Sequence, residues 1–307
     1  MVAALGGNAL LKRGEPLEAE VQRRNVQHAV DALAPIALQH ELAITHGNGP
    51  QVGLLALESY AYREVGEYPL DVLGAESEGM IGYMIEQELA GVLPGREVAV
   101  LLTQVAVDPD DPAFRNPTKP IGPWYDEADA ERLQRERGWS FVATGGQHRR
   151  VVPSPLPQRI LEIRTIRLLI DAGVVVISVG GGGIPVIVSD DGLIRGVEGV
   201  IDKDRAAALL AREIGADALL LLTDVDGVYA GWGTDDQRLL GESTPDELAA
   251  LDLEAGSMGP KVEAACGFAR DTGGLAGIGA LGDAAAILAG EAGTRIRRRD
   301  QTDITNS

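Results

Sequence analysis

The chain has four lysines, Lys12, Lys119, Lys203 and Lys261, against 23 arginines. An ammonium is a compact point charge that a planar guanidinium does not replace, so each surviving lysine is a candidate functional residue. Lys203 lies in GVIDKDRAA (199–207), between Asp202 and Asp204, where a loop enters a helix. A cation at a helix start opposes the macrodipole, whereas Asp204 suits it. The misplaced cation argues for an anionic partner, although alternating charge at a helix start is also ordinary surface. Lys261 follows GSMGP (256–260), with Pro260 opening a helix. ITHGNGPQVG (44–53) leaves an apolar run through two glycines, an asparagine and a proline. That is enough to build a surface of exposed backbone N–H groups of the kind that holds anions.

Around these residues, apolar runs of strand length alternate with helical patterns. The strands are expected at 1–5, 41–45, 97–105, 174–179 and 218–223, with a weaker one at 275–281. Helices are expected at 21–40, kinked by Pro35, and at 75–93, 157–173, 203–216 and 259–273. This alternation is the signature of βαβ units and a mainly parallel sheet. The expected architecture is a three-layer α/β sandwich in a single domain spanning 1–307. Ligands of such sheets bind beyond the strands' carboxyl ends. Here those ends read GGNA (6–9), HGNGPQ (46–51), GGGGIP (180–185) and DVDGVY (224–229). Each alone serves equally as a tight turn; their common position points to an anion site.

Residues 108–156 break the alternation with seven prolines, a short polar helix expected at 126–137 and short strands around 140–144 and 149–152. A structureless loop of this length is rare in a compact domain. It reads either as a surface insertion or as a small protruding lid that lays Lys119 over the site.

Other chemistries are poorly served. There is no GxxxxGK[ST] phosphate loop, and GGGGIP lacks dinucleotide spacing. The histidines (28, 40, 46, 148) lack metal-ligand spacing, so no protein-held metal cluster is expected. A net charge of −19 argues against nucleic acid. It serves solubility or adaptation to salt, while high-GC coding would deplete lysine just as well. The one cysteine, Cys266, fits a reducing cytoplasm. The N-terminus lacks the pattern of a secretory signal, and no run reaches the ~20 apolar residues of a membrane span. Glycine loops, asparagines, aspartates and sparse lysines suit phosphoryl transfer, where catalysis is mostly positioning and charge neutralisation.

The motifs together resemble those of the carbamate kinases, in the amino acid kinase superfamily. They are ALGGNAL (4–10), THGNGPQVG (45–53), PLDVLGAESEGMIGY (69–83), DPAFRNPTKPIGPWY (111–125), RRVVPSP (149–155), GGGGIPV (180–186), GVIDKD (199–204), LLTDVDGVY (221–229) and GSMGPKVEAA (256–265). RNPTKPIGP and GSMGPK are the most specific. The resemblance implies an α/β sandwich with a lid, and reversible transfer between carbamoyl phosphate plus ADP and carbamate plus ATP. It also implies Mg²⁺, a homodimer and often a role in arginine deiminase-type catabolism. By resemblance, Gly6, Gly7 and Asn8 approach the transferred phosphoryl group, and Gly47, Asn48 and Gly49 hold the carbamate side. Lys119 reaches down from the lid, Lys203 stabilises the moving charge and Asp202 orients the lysines. Lys261 reaches the nucleotide phosphates, and Asp224, Tyr229 and Met258 line the nucleotide pocket. The chain departs from the family pattern at TGGQHRR (144–150), where Gly-Arg-Gly is usual before the arginine pair, and at IGAL (278–281), where Ile-Thr-Ser-Leu is common. Two other readings fit the same loops: a superfamily kinase acting on an amino-acid carboxylate such as acetylglutamate, and a nucleotide-binding protein without catalysis.

Overall fold

The computed structural model describes residues 1–12, 14–62, 64, 66–251 and 258–298; the side chains of Asn8 and Ala9 also lie outside the description. An eight-stranded sheet forms its centre. In spatial order the strands are Glu242–Ser243, Thr294–Ile296, Leu275–Ala280, Ala218–Thr223, Val2–Leu5, Ala43–His46, Val175–Ile177 and Val98–Val100. Every neighbouring pair is parallel except the pairing of Leu275–Ala280 with Thr294–Ile296.

The period-two alternation of the strands divides the core between two faces. Val2, Ala4, Leu219 and Leu221 pack with residues of the helices Ile163–Asp171, Lys203–Ile214 and Met258–Thr272. Their chain neighbours Ala3, Leu5, Leu220 and Leu222 pack on the opposite side with residues of Ala19–Gln39, Leu70–Val92 and Ala284–Ala289. The result is the expected three-layer sandwich. Small and branched aliphatic side chains fill it, as the scarcity of aromatics requires.

Two expected elements are corrected. The apolar run 97–105 is two strands: Val98–Val100 joins the main sheet, and Gln104–Val107 joins a separate four-stranded sheet with Pro157–Ile160, Ile184–Val188 and Ile194–Gly196. The switch occurs at Thr103, whose N–H donates to the Glu78 carboxyl instead of to a strand. The helix expected from 157 begins at Ile163, because Pro157–Ile160 pairs antiparallel with Gln104–Val107. The helix Ala19–Gln39 contains Pro35 and continues past it to Gln39.

Within 108–156, Lys119–Tyr125, Gln147–Val152 and Ser140–Thr144 form a three-stranded antiparallel sheet, joined by the helix Glu127–Arg137. The strand Lys119–Tyr125 was hidden in the sequence by its prolines and glycine. Ile121 and Val152 of this sheet pack with Val52, Ala56, Leu70 and Leu73 of two body helices. The closest approach is glycine against glycine: a Cβ on Gly53 would lie 2.0 Å from the Gly122 Cα. Gly122 also has φ +70°, a conformation that side chains disfavour.

Candidate functional site

The four strands whose ends carry the glycine-rich and aspartate loops are consecutive neighbours in the sheet and all parallel. Their carboxyl ends therefore open on one side. A cavity of about 150 Å³ lies there. Gly7, Gly47, Asn48, Gly49, Pro50 and Gly181 line it from three of the loops, Lys119 and Ile121 from the small sheet, and Val200, Ile201 and Lys203 from the body. The helices Gly49–Ala61 and Lys203–Ile214 begin at its wall, and the first N–H groups of a helix have no intrahelical acceptor.

Two of the lining glycines, Gly47 and Gly181, sit where a side chain would crowd a neighbour, while Gly7 and Gly49 have open space beside them. A Cβ on Gly47 would come within 3.2 Å of the Lys203 Cδ, so the lysine stem passes across this loop. Gly181, at φ +67°, would place a Cβ 2.1 Å from the Asn48 Nδ2. Gly6 stands behind the wall and donates its N–H to the Leu222 carbonyl at 2.8 Å. Asn8 follows Gly7 in the turn, and its side chain lies outside the described residues.

Lys119 at a strand start and Lys203 and Lys261 in the first turns of two helices converge at or behind this cavity. Lys119 Nζ donates to Asp202 Oδ2 at 2.5 Å. Lys203 Nζ donates to Asp204 Oδ2 at 3.0 Å, and Lys261 Nζ reaches both Asp204 oxygens at 3.0 Å. The chain of alternating charge Lys119–Asp202, Lys203–Asp204–Lys261 carries one surplus positive charge in a protein of net charge −19. Asp204 and Lys261 are buried; Lys203 and Asp202 are partly so.

Burial alone would raise the Asp202 carboxyl, but the Lys119 charge and hydrogen bond, with Lys203, hold it well below the usual carboxylate range. Asp204 is likewise pushed up by burial and brought below its ordinary value by Lys203 and Lys261. Burial opposes the charge on Lys203, yet the two aspartates keep its pKa raised. Lys261 is lowered by burial, with Asp204 opposing. The carboxylates stay ionised and keep the cluster pre-arranged.

The orienting duty expected of Asp202 is thus divided. Asp202 holds Lys119 and caps its helix, accepting the N–H groups of Asp204 and Arg205 at 3.0 and 3.3 Å. Asp204 holds the other two lysines. Asp224 is exposed, with the Thr223 hydroxyl donating to it at 3.2 Å. Tyr229 donates to Asp226, and its ring meets Trp232 edge-on. Met258 opens the helix that carries Lys261 and packs against the core. None of these three lines the cavity. Gly256 and Ser257 of the GSMGPK motif lie outside the described residues. Lys12 is exposed.

Behind the cavity stand residues that sequence reasoning missed. Ser77 accepts the Asn48 amide at 2.8 Å and donates to the Gly74 carbonyl. Glu78 accepts the Gly180 N–H at 2.7 Å and the Thr103 N–H at 3.2 Å. Burial pushes the Glu78 carboxyl up to about 8, against the pull of the two N–H groups. Burial lowers His46 to about 4. A signal for Ser77 existed: Leu70, Leu73, Ser77, Ile81 and Met84 recur at helical spacing, which puts a serine in an apolar stripe.

The amino acid kinase family model matches residues 1–276. The chain is 55% identical over 299 residues to the carbamate kinase of Rhizobium meliloti, covering 96% of this chain and 92% of the relative. The chain belongs to the carbamate kinases of the amino acid kinase family. Another carbamate kinase, from Escherichia coli K12, is 55% identical over 96% of this chain and 98% of its own length. Among solved carbamate kinases, that of Giardia lamblia bound to AMP-PNP superposes with a TM-score of 0.89 at 41% identity, covering 97% of this chain and 98% of that one. The family fold extends further, to an N-acetylglutamate synthase of Neisseria gonorrhoeae at 15% identity and a TM-score of 0.59.

Proposed function

We propose that this protein transfers a phosphoryl group reversibly between carbamoyl phosphate and ADP, forming carbamate and ATP. The observation that carries the reading is the meeting of Lys119, Lys203 and Lys261 through Asp202 and Asp204 beside a cavity walled by glycine loops. A terminal phosphate oxygen of ADP attacks phosphorus; the bond from phosphorus to the carbamoyl oxygen breaks, and its electron pair leaves on carbamate. Attacking and leaving oxygens are both anionic, so no general base is required. What the reaction needs is fixed positive charge and donors aimed at the transferring group.

In this reading Gly7 and Asn8 receive the transferring group, Gly6 holds their turn from behind through its N–H to Leu222, and Gly47, Asn48 and Gly49 hold the carbamoyl side. Lys119 closes from residues 108–156 acting as a lid. Lys203 follows the charge between donor and acceptor. Lys261 meets the nucleotide phosphates, with Asp224, Tyr229 and Met258 around the nucleotide. Among the described residues no cluster of three or more His, Cys, Asp or Glu forms a metal cage. The carboxylates of Asp202 and Asp204 beside the cavity are both engaged by lysines. The Mg²⁺ ion fits as one carried on the nucleotide phosphates, where it supplies charge neutralisation. The reading extends to a cytoplasmic homodimer making ATP, as in arginine deiminase-type catabolism. The buried free Cys266 suits a reducing compartment, and among the described residues no helix is long and apolar enough to cross a membrane.

The test is ATP formation from ADP, Mg²⁺ and carbamoyl phosphate, with Lys203→Ala beside the wild type. Activity that falls ~10²-fold or more in the variant, the scale for losing a preorganised transition-state donor, is expected. A folded wild type that forms no ATP, or that phosphorylates acetylglutamate instead, overturns the reading.

A further inference from the structure

Two adjacent residues of one helix reach two separate walls of the cavity from behind. Ser77 and Glu78 are 0% and 1% exposed, and neither lines the cavity. Ser77 fixes Asn48 through the amide hydrogen bond, and its own proton is committed to the Gly74 carbonyl. Glu78 fixes Gly180 through the backbone N–H. Asn48 and Gly181, the cavity residues next to these anchors, press on each other, with no space for a Cβ between them.

The turn that Glu78 anchors is one the backbone does not adopt unaided. Val179 has φ +55°, the one non-glycine residue with positive φ among the described residues. Such a conformation persists only where its surroundings over-determine it. Three side chains from three elements supply the constraint. Thr45 donates to the Val179 carbonyl at 2.7 Å, Thr103 accepts the Val179 N–H at 3.0 Å, and Glu78 takes the next N–H. Gly180 is clamped sideways as well, since a Cβ there would lie 2.4 Å from His46 Nε2 and 2.8 Å from Glu78 Cγ.

We propose that Ser77 and Glu78 are positioning residues for the carbamoyl side of the site: together they set Asn48 and the Gly180–Gly183 turn in the places that receive the carbamoyl phosphate head. The proposal rests on the carbamate kinase reading. Its consequence is a division within the site. Damage at Ser77 or Glu78 displaces the wall facing carbamoyl phosphate, while the cluster of Lys203, Asp204 and Lys261 keeps its own hydrogen bonds.

Steady-state KM values for carbamoyl phosphate and for ADP in wild type, Ser77→Ala and Glu78→Gln test this, with thermal unfolding recorded for each. Glu78→Gln keeps the shape but replaces one carboxyl oxygen, which accepts an N–H group even when protonated, with an amide nitrogen that cannot accept. Ser77→Ala removes the acceptor of the Asn48 amide. The expected result is a rise of about tenfold or more in the carbamoyl phosphate KM of both variants, with the ADP KM within about twofold, the scale of one buried hydrogen bond left unmade. Equal changes in the two KM values, or none, overturn the proposal. If Glu78→Gln does not fold, the Ser77→Ala values decide in the same way. A wild type inactive with carbamoyl phosphate refutes the function itself; an active wild type with variants showing no split refutes only the positioning role.

Discussion

Lys261 places its ammonium between the two carboxylate oxygens of Asp204, 3.0 Å from each, with both side chains 4% exposed. A second ammonium, that of Lys203, shares Asp204 Oδ2 at 3.0 Å. One buried carboxylate thus separates two cations that would otherwise repel at close range. Asp204→Asn keeps the volume and removes the charge. Breaking a buried ion pair at one partner costs on the order of 3 kcal/mol. The variant is expected to lose about that much stability in urea unfolding and ~10²-fold in ATP formation. Near-wild-type values for both would mean that the cluster does not depend on Asp204.

The four lysines should separate sharply. Lys119 lines the cavity and donates to Asp202 at 2.5 Å. Lys12 is exposed, and it is its backbone N–H that meets Glu15. Lys12→Ala is expected to leave kcat and both KM values within about twofold. Lys119→Ala, which on the proposed reading removes one donor from the transferring group, should lower kcat by ~10-fold or more. Comparable losses in both would show that lysine scarcity is not a guide to this site.

Glu78 also writes a pH signature on stability. Its folded pKa of about 8 lies above the ordinary 4.5, because burial outweighs the Thr103 and Gly180 N–H groups and the Glu162 charge adds to it. The folded protein then holds a proton that the unfolded chain has released. The associated stability is complete below pH 4.5 and is lost as pH rises through 8. His46, lowered by burial from 6.5 to about 4, acts in the opposite sense and loses stability as pH falls through that window. Between pH 6.5 and 8 only the Glu78 contribution of the two remains. The stability of wild type relative to Glu78→Gln should decline there by up to about 1.4 kcal/mol per pH unit. Urea midpoints at half-unit pH intervals measure it. A difference independent of pH would place the Glu78 proton elsewhere.

Much of this arrangement was legible in sequence because parallel strands force it. Four apolar runs followed by glycine or aspartate loops had to present those loops on one edge once the runs paired in parallel, and the lysines lay in or near such loops. The duty of Asp204 was less visible. In Asp202-Lys203-Asp204 the two carboxylates look equivalent, and only the helix start at Lys203 turns one outward to Lys119 and the other inward to Lys261. The split of 97–105 was invisible because both halves are apolar. What divides them is Thr103, whose N–H is taken by Glu78 from a distant helix. Such long-range hydrogen bonds leave no local periodicity to read.

The contact between Gly53 and Gly122 gives the last prediction, because it couples the small sheet to the body. Gly53 lies one turn into the helix Gly49–Ala61 that starts at the cavity, and Gly122 lies in the strand that begins with Lys119. A methyl group on Gly53 would stand 2.0 Å from the Gly122 Cα and 2.3 Å from its nitrogen, both backbone atoms that no rotamer change can move. The strand must then lift from the helix and carry Lys119 with it. Overpacking of this kind typically costs about 1–3 kcal/mol. Gly53→Ala is expected to raise the carbamoyl phosphate KM several-fold and to lower kcat, reproducing part of the Lys119→Ala defect. Gly91→Ala is the control: its Cβ meets nothing within 4 Å on an exposed stretch of helix, and alanine there favours the helix by about 1 kcal/mol. Equal kinetics in the two variants would mean that Lys119 reaches its place without the glycine contact, and that the small sheet moves independently of the helix beneath it.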